Sequence, residues 1–479
     1  MKHESQAKSD PATGRPRALG LPLFFLLLLP FFVSWFAGPQ VPVGDDWKLF
    51  ENLDQLSFHE AILVNTRENE GLRFRPLVNG MVWIERQILG LGFRGNTRLG
   101  LLWIGISGAA LFLLLLRIGL SRRRAWLGSV LFLAHPAAAE MYGWASTRLY
   151  SMGSAFSLLA LLLGLGGKAH HALLAGLFFL LAFLSAEATY PLLLGAPLFF
   201  WILSRRKPVA LLSAPFSLGS ALGLKKLLLG RVFASWWTAR IPLWIRLKGW
   251  LLLALPLLLW PVGTFAAEPL LAKILAVLYA GGMLLALLLP FLRGRFAREE
   301  NLPRVLAFGV LFLLTLSVTG GVPPRADLGG GRVWFLPSAF FCAAVAVYGN
   351  RSLLTLSAPI GLGLLLLNLA PWAQARTKMQ RVLSRLEREV PRHERALEVT
   401  NLEPQHGPVP LFVLMCEFYS LSFEGPRYDR PLLMRKPGNL DEEAFQASIE
   451  KQWLQYMSAQ GRKILRLRWN PKLGVLEEF

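Results

Sequence analysis

Long apolar runs separated by short clusters of arginine constrain this chain more than any other feature. Residues 19–38, 99–116, 272–292 and 353–370 are the longest of these runs. A helix that crosses the hydrocarbon core needs about 20 apolar residues, because its backbone polar groups find no water there and must pair within the segment. Hydrophobic residues make up 54% of the 479 and charged ones only 17%, too little polar surface for a string of soluble domains. The sequence therefore predicts an all-α polytopic membrane protein.

The net charge is +21, from 51 Lys and Arg against 30 Asp and Glu. In a soluble protein that excess would point to nucleic acid. Here it sits between apolar runs, as Arg122-Arg123-Arg124, Arg205-Arg206-Lys207 and the group Arg293, Arg295, Arg298 and Arg304. Such clusters mark cytoplasmic loops, so the bilayer is the expected partner and nucleic acid is not. With the N-terminus inside, the runs 19–38, 99–116, 125–139, 149–165, 172–185, 190–203, 209–224, 272–292, 305–318, 333–348 and 353–370 give about eleven crossings and leave the C-terminus outside. The run 251–262 is short and carries Pro256 and Pro261. Counting it as a crossing would put the Arg293–Arg304 group outside, so parity makes it a partial insertion.

This topology divides the chain into a cytoplasmic tail (1–18), a membrane domain (19–371) whose first outer loop is 38–98, and a small outer domain (372–479). The apolar run after the tail is long and has no small-x-small cleavage site, so it is expected to be retained. Within the first loop, 77–91 is interrupted by Glu85 and Arg86 and reads as a helix lying in the interface. The Trp- and Arg-rich stretch 225–248 reads the same way. In the outer domain, 376–395 and 441–460 are expected to be helices and 409–419 a strand. Cys342 and Cys416, one in an apolar run and one in the tail, predict neither a disulfide nor a thiol-metal cluster.

The polar residues with chemical potential gather on the outer side. Asp45 and Asp46 follow the first run, and two adjacent carboxylates disfavour each other's ionisation. A carboxylate tuned in that way suits a general base that takes a proton from a hydroxyl. A solvated turn is the plainer alternative. Glu140 ends an apolar run on the same side, in the stretch His135-Pro136-Ala137-Ala138-Ala139-Glu140. His135 reads as packing or capping near the helix end, since no second His stands at ligand spacing, and no metal ligand is assigned. Trp144, Tyr150 and Glu187 lie on that side as well. Outer arginines Arg75, Arg148, Arg240, Arg246 and Arg332 offer the paired donors that grip phosphate. For Arg240 and Arg246 headgroup contact is the simpler account. Arg332 follows Gly329-Gly330-Gly331, where backbone amides come close to a ligand.

The order of these residues carries a family resemblance. Asp45-Asp46 is followed by Arg75-Pro76-Leu77, then His135-Pro136-x-x-x-Glu140 with Trp144 and Arg148, then Ser185-Ala186-Glu187, then Arg332-Val333-Trp334-Phe335-Leu336-Pro337-Ser338. Over residues 19–370 this resembles the membrane part of the TMTC-type (transmembrane and tetratricopeptide-repeat) proteins and their bacterial relatives. Those belong with the protein O-mannosyltransferases in the GT-C superfamily. The chain departs from the family pattern at Ala186, where Lys is usual, and at Phe74, where Tyr is usual. It also departs in the wording of the Arg332 motif and in lacking a repeat array in the tail.

The resemblance implies a GT-C fold and a polyprenyl-phosphate sugar as donor and co-substrate. The acceptor would be a hydroxyl on a periplasmic protein, glycan or lipid at the outer face of a bacterial inner membrane. Asp45 or Asp46 would be the base, with Glu140 beside it orienting the acceptor or the other carboxylate. Arg332, with Arg148 and Arg75, would neutralise the donor phosphate. Some such enzymes need a divalent metal and others do not, so metal use stays open. Two other classes compete. A transporter or flippase of lipid-linked glycan calls for polar residues at mid-membrane depth and repeat symmetry, and the sequence displays neither. A non-catalytic membrane scaffold would not need the retained charge set.

Overall fold

The computed structural model describes residues 17–41, 43, 46, 56–63, 74–166, 168–204, 208–229, 270–292, 301–316 and 331–389, and seven short strands between 395 and 478. Up to Glu389 the regular elements are helices: α1 (Arg17–Trp35), α2 (Phe58–Leu63), α3 (Pro76–Gln87), α4 (Phe93–Arg117), α5 (Arg122–Leu133), α6 (Ala139–Gly143), α7 (Arg148–Gly164), α8 (Ala169–Ser185), α9 (Leu192–Ser204), α10 (Pro208–Leu229), α11 (Leu270–Leu292), α12 (Asn301–Leu316), α13 (Phe335–Tyr348) and α14 (Arg351–Glu389). Each run counted as a crossing coincides with one of them. Among the described residues, three stretches are long and apolar enough to cross a membrane: Phe93–Arg117, Lys273–Pro290 and Arg351–Ser384. Shorter apolar helices at Leu19–Trp35, Ala169–Ser185, Glu187–Leu203, Asn301–Leu316 and Arg332–Tyr348 accompany them.

The exposed faces identify the solvent. On α11, Ala276, Tyr279, Met283 and Ala286 are buried at spacings of three and four, one helical stripe. The opposite stripe carries exposed Ile274, Val277, Leu278, Leu284, Leu285 and Leu288. A helix in water would place charged side chains there; one that is apolar all round needs an apolar surrounding. A bilayer supplies it, and the chain is membrane-associated. Lipid tails are as apolar as leucine, so the helices hold one another by close van der Waals packing rather than by expulsion of water. Small side chains permit it: α13 presents Ala339, Ala343 and Ala346 as a buried row and packs against α12 and α5.

Two expectations change at α14. The expected break near residue 371 does not occur: one helix runs from Arg351 to Glu389, through Pro359 and Pro371. At 1.5 Å per residue it is roughly 58 Å long, nearly twice the hydrocarbon thickness. Membrane helices tolerate proline because neighbouring groups satisfy the freed carbonyl. The boundary set at 372 therefore falls inside a helix, and the separate helix expected at 376–395 is its continuation as far as Glu389. Its buried residues Leu365, Asn368, Leu369, Trp372, Ala375, Arg376, Met379, Val382 and Leu383 keep helical spacing across that boundary.

Beyond it the chain turns to strands: β1 (Arg395–Thr400), β2 (Gln405–His406), β3 (Val409–Pro410), β4 (Cys416–Ser420), β5 (Pro431–Arg435), β6 (Lys463–Asn470) and β7 (Val475–Glu478). Five of them form one mixed sheet in the order β4-β5-β1-β6-β7. β1 pairs in parallel with both β5 and β6, in register Leu397 with Leu432 and with Leu465. The single strand expected at 409–419 is thus two, β3 and β4, in different sheets. The helix expected at 441–460, the partial insertion at 251–262 and most of the interfacial stretch 225–248 lie outside the described residues.

Candidate functional site

The site is built on a corner between α5 and α7. His135 and Pro136 follow the end of α5, and Pro136–Ala138 turns as a 3-10 helix into the short α6. Proline cannot continue the preceding helix, which sets the corner here. A second 3-10 turn, Ala145–Thr147, leads into α7. The Tyr142 hydroxyl donates to the Leu133 carbonyl at 2.7 Å, and the Thr147 hydroxyl to that of Trp144 at 2.6 Å. Gly143 has no alternative: a Cβ there would lie 2.3 Å from the Trp372 ring. The corner is thereby pressed against α14, where Asn368 also donates to the Pro136 carbonyl at 3.4 Å.

Four expected site residues, Asp46, Glu140, Trp144 and Arg332, lie at this corner. Asp46 is fully buried. Its Oδ1 accepts the backbone N–H of Ser146 at 2.6 Å and its Oδ2 that of Val43 at 3.3 Å. Glu140 Oε2 accepts the backbone N–H of Arg332 at 2.9 Å, and Arg332 Nη1 stands 3.5 Å away, at the outer limit of a hydrogen bond. The Arg332 guanidinium lies over the Trp144 ring, 4.6 Å from its centroid, while 25% of the side chain stays exposed. Glu140 thus grips the Arg332 backbone chiefly, and the cation is steadied by an indole face. Asp45, like Gly329 and Gly330, lies outside the described residues.

A second cluster stands beside the first. Glu187 accepts Phe74 N–H on Oε1 and Arg75 Nε on Oε2, both at 2.8 Å, and so clasps the end of the first loop to the turn after α8. Tyr150 and Tyr190 are close enough to act on the Arg75 charge. Burial is the largest effect and opposes that charge, but Glu187, Tyr150 and Tyr190 together outweigh it and hold Arg75 above the usual arginine value. Tyr150 also packs on the cluster of Leu316 with Val333 and Trp334, the two residues that follow Arg332.

Two expected residues are placed elsewhere. Arg148 does not face a phosphate site. Its Nη1 donates to Glu85 Oε2 at 2.5 Å and its Nη2 to Glu85 Oε1, a buried two-pronged pair joining α7 to α3. This corrects its assignment to donor binding, and it explains how Glu85 sits mid-helix among apolar residues. His135 packs edge-on against Tyr279 of α11, with ring centroids 6.1 Å apart. Among the described residues no three His, Cys, Asp or Glu side chains gather as a metal site.

Sequence reading missed Ser146, Trp372 and Arg376. Trp372 packs against Trp144 at 5.9 Å between ring centroids. One helical turn further along α14, Arg376 is fully buried and within electrostatic reach of Asp46. The signal was present in the spacing of 365, 368, 369, 372, 375 and 376, but ending the last run at 370 and starting a separate helix at 376 concealed it. No family model matches this chain, and no curated protein sequence matches it.

Proposed function

We propose that this chain is an integral-membrane glycosyltransferase of the GT-C type, moving a sugar from a polyprenyl-phosphate donor to a hydroxyl acceptor. The acceptor is a periplasmic protein, glycan or lipid, and transfer takes place at the outer face of a bacterial inner membrane. In this reading about eleven helices cross, with the N-terminus in the cytoplasm and the C-terminal sheet in the periplasm. The observation that carries it is the convergence of Asp46, Glu140 and Arg332 on one corner, with Glu140 and Arg332 bonded across 192 positions of sequence. Carboxylates and an aromatic-backed arginine gathered at one corner are the kinds of group that sugar transfer from a phosphate requires: an acidic pair to take a proton and a cation for the leaving group.

In this reading the residues take different roles. Asp46, buried and held by two backbone N–H groups, is the anchor of the acidic pair. Proton acceptance from the acceptor hydroxyl falls to Asp45, its neighbour in sequence. Glu140 fixes the turn that carries Arg332, and Arg332 meets the donor phosphate. Arg75 and Glu187 close the rim, and the Arg148–Glu85 pair supports the corner from below.

The test is deletion of the gene followed by mass spectrometry of lipid-linked sugars and periplasmic glycans. One polyprenyl-linked sugar should accumulate while one glycan, glycolipid or glycoprotein loses a sugar. Identical profiles with and without the gene would contradict the proposal. Cysteine placed at Ser57 or Gln405 should react with an impermeant label in intact spheroplasts, and labelling only after lysis would overturn the orientation.

A further inference from the structure

Arg376 has no task in the scheme above, yet the fold goes to some length to bury it. Its side chain is wholly enclosed, and among the described residues no acceptor lies within hydrogen-bond distance of Nε, Nη1 or Nη2. A guanidinium stays charged and carries five N–H donors, and enclosing one without a partner is strongly unfavourable. Arg148, by contrast, puts both terminal nitrogens on Glu85, and Arg124 donates to the Val347 carbonyl at 2.7 Å. Asp46 acts on Arg376 through space, but the two do not close into a pair, and both Asp46 oxygens already accept backbone N–H groups.

A second unpartnered donor belongs to the same corner. The indole N–H of Trp144 is buried without an acceptor. Trp144 packs on Trp372, one turn from Arg376, and lies two residues from Ser146, which holds Asp46. The unpartnered atoms of both side chains are donors. The complementary group is therefore rich in acceptor oxygens and negatively charged, as a phosphate is.

We propose that Arg376 and the Trp144 indole N–H form an internal subsite that receives the phosphate of the lipid-linked donor as it leaves. This rests on the glycosyltransferase reading. In transfer, the acceptor oxygen bonds to the anomeric carbon and its proton passes to the carboxylate. The bond from that carbon to the phosphate oxygen breaks, and the electron pair stays on the phosphate. A singly charged diester becomes a monoester with a second charge. Arg332, partly exposed, meets the charge that the donor brings, and Arg376 meets the charge that the reaction creates.

The experiment measures binding of undecaprenyl phosphate to the full-length protein in detergent, with phosphatidylglycerol and inorganic phosphate as parallel probes. Arg376→Met should weaken undecaprenyl phosphate roughly ten- to a hundredfold, the loss of a charge-assisted contact. Arg376→Lys should recover part of it. Trp144→Phe keeps the ring, loses one donor and should weaken binding by a smaller factor, which keeps the idea testable if Arg376→Met does not fold. Equal affinity in wild type and the Arg376 variants overturns the subsite. An Arg376-dependent affinity of equal size for phosphatidylglycerol also overturns it, in favour of a bilayer headgroup. Sugar transfer that persists with unchanged undecaprenyl phosphate affinity in Arg376→Met sinks the subsite alone. Arg376-dependent binding in a protein that transfers no sugar sinks the glycosyltransferase reading and leaves the subsite standing.

Discussion

Arg148 and Arg376 are both buried arginines near the same corner, and they are treated in opposite ways. Arg148 puts both terminal nitrogens on Glu85 and leaves only Nε without a partner. Arg376 has none for any of its nitrogens among the described residues, although Asp46 is within electrostatic reach. A buried charge with a fitted counter-charge fastens helices together. A buried charge kept from closing on its counter-charge is positioned for something the fold does not itself provide. The first kind should fail by unfolding when altered, and the second by loss of binding.

Substitution separates the two cases. Arg148→Met strands Glu85 in an apolar setting and should destabilise the protein by about 3–5 kcal/mol, read from unfolding in mixed detergent micelles. The double change Glu85→Met with Arg148→Met should recover most of that loss, since apolar replacement of both partners is often neutral. If the double variant is as unstable as the single, the pair is not the fastener described. Arg376→Met should leave ligand-free stability within about 1 kcal/mol of wild type or above it, because it removes an unsatisfied buried charge. A loss as large as that of Arg148→Met would erase the distinction between the two arginines.

Smaller effects refine the picture. Gly143→Ala should cost about 1–3 kcal/mol, the strain of pushing Trp372 and the upper part of α14 off the corner, and it should weaken undecaprenyl phosphate binding in parallel. Stability lost without any change in that binding would detach Trp372 from the site. Glu187→Gln should cost least, about 1 kcal/mol, because the Arg75–Glu187 pair is about one-fifth exposed. Its main consequence is a looser first loop, measurable as faster proteolysis after residue 63.

What the sequence revealed follows from the kind of signal each feature leaves. Helices appear where they were read because membrane burial writes itself as composition, and composition survives without knowledge of neighbours. Glu140 and Arg332 were recognisable as a set through their motif order, and their contact through the Arg332 backbone amide is a detail of the fold. Arg148 was misassigned because an arginine's partner is a tertiary fact: Glu85 lies 63 positions away and read as a flaw in an interfacial helix. Arg376 was lost for a local reason. Pro371 looks like a helix terminator by rules that hold in water, and within a membrane helix it is not one. With the last run ended at 370, a buried arginine read as part of a separate charged amphipathic helix.

The claim that joins these observations is that the acidic pair accepts a proton during sugar transfer, with Asp45 acting and Asp46 anchoring. Its most direct test is sugar transfer in gene-deleted cells that carry Asp45→Asn, scored by mass spectrometry of the accumulated lipid-linked sugar. The account predicts a stable, membrane-inserted protein whose transfer falls by at least roughly a hundredfold, the usual worth of a general base. Transfer at the wild-type rate by Asp45→Asn would contradict it.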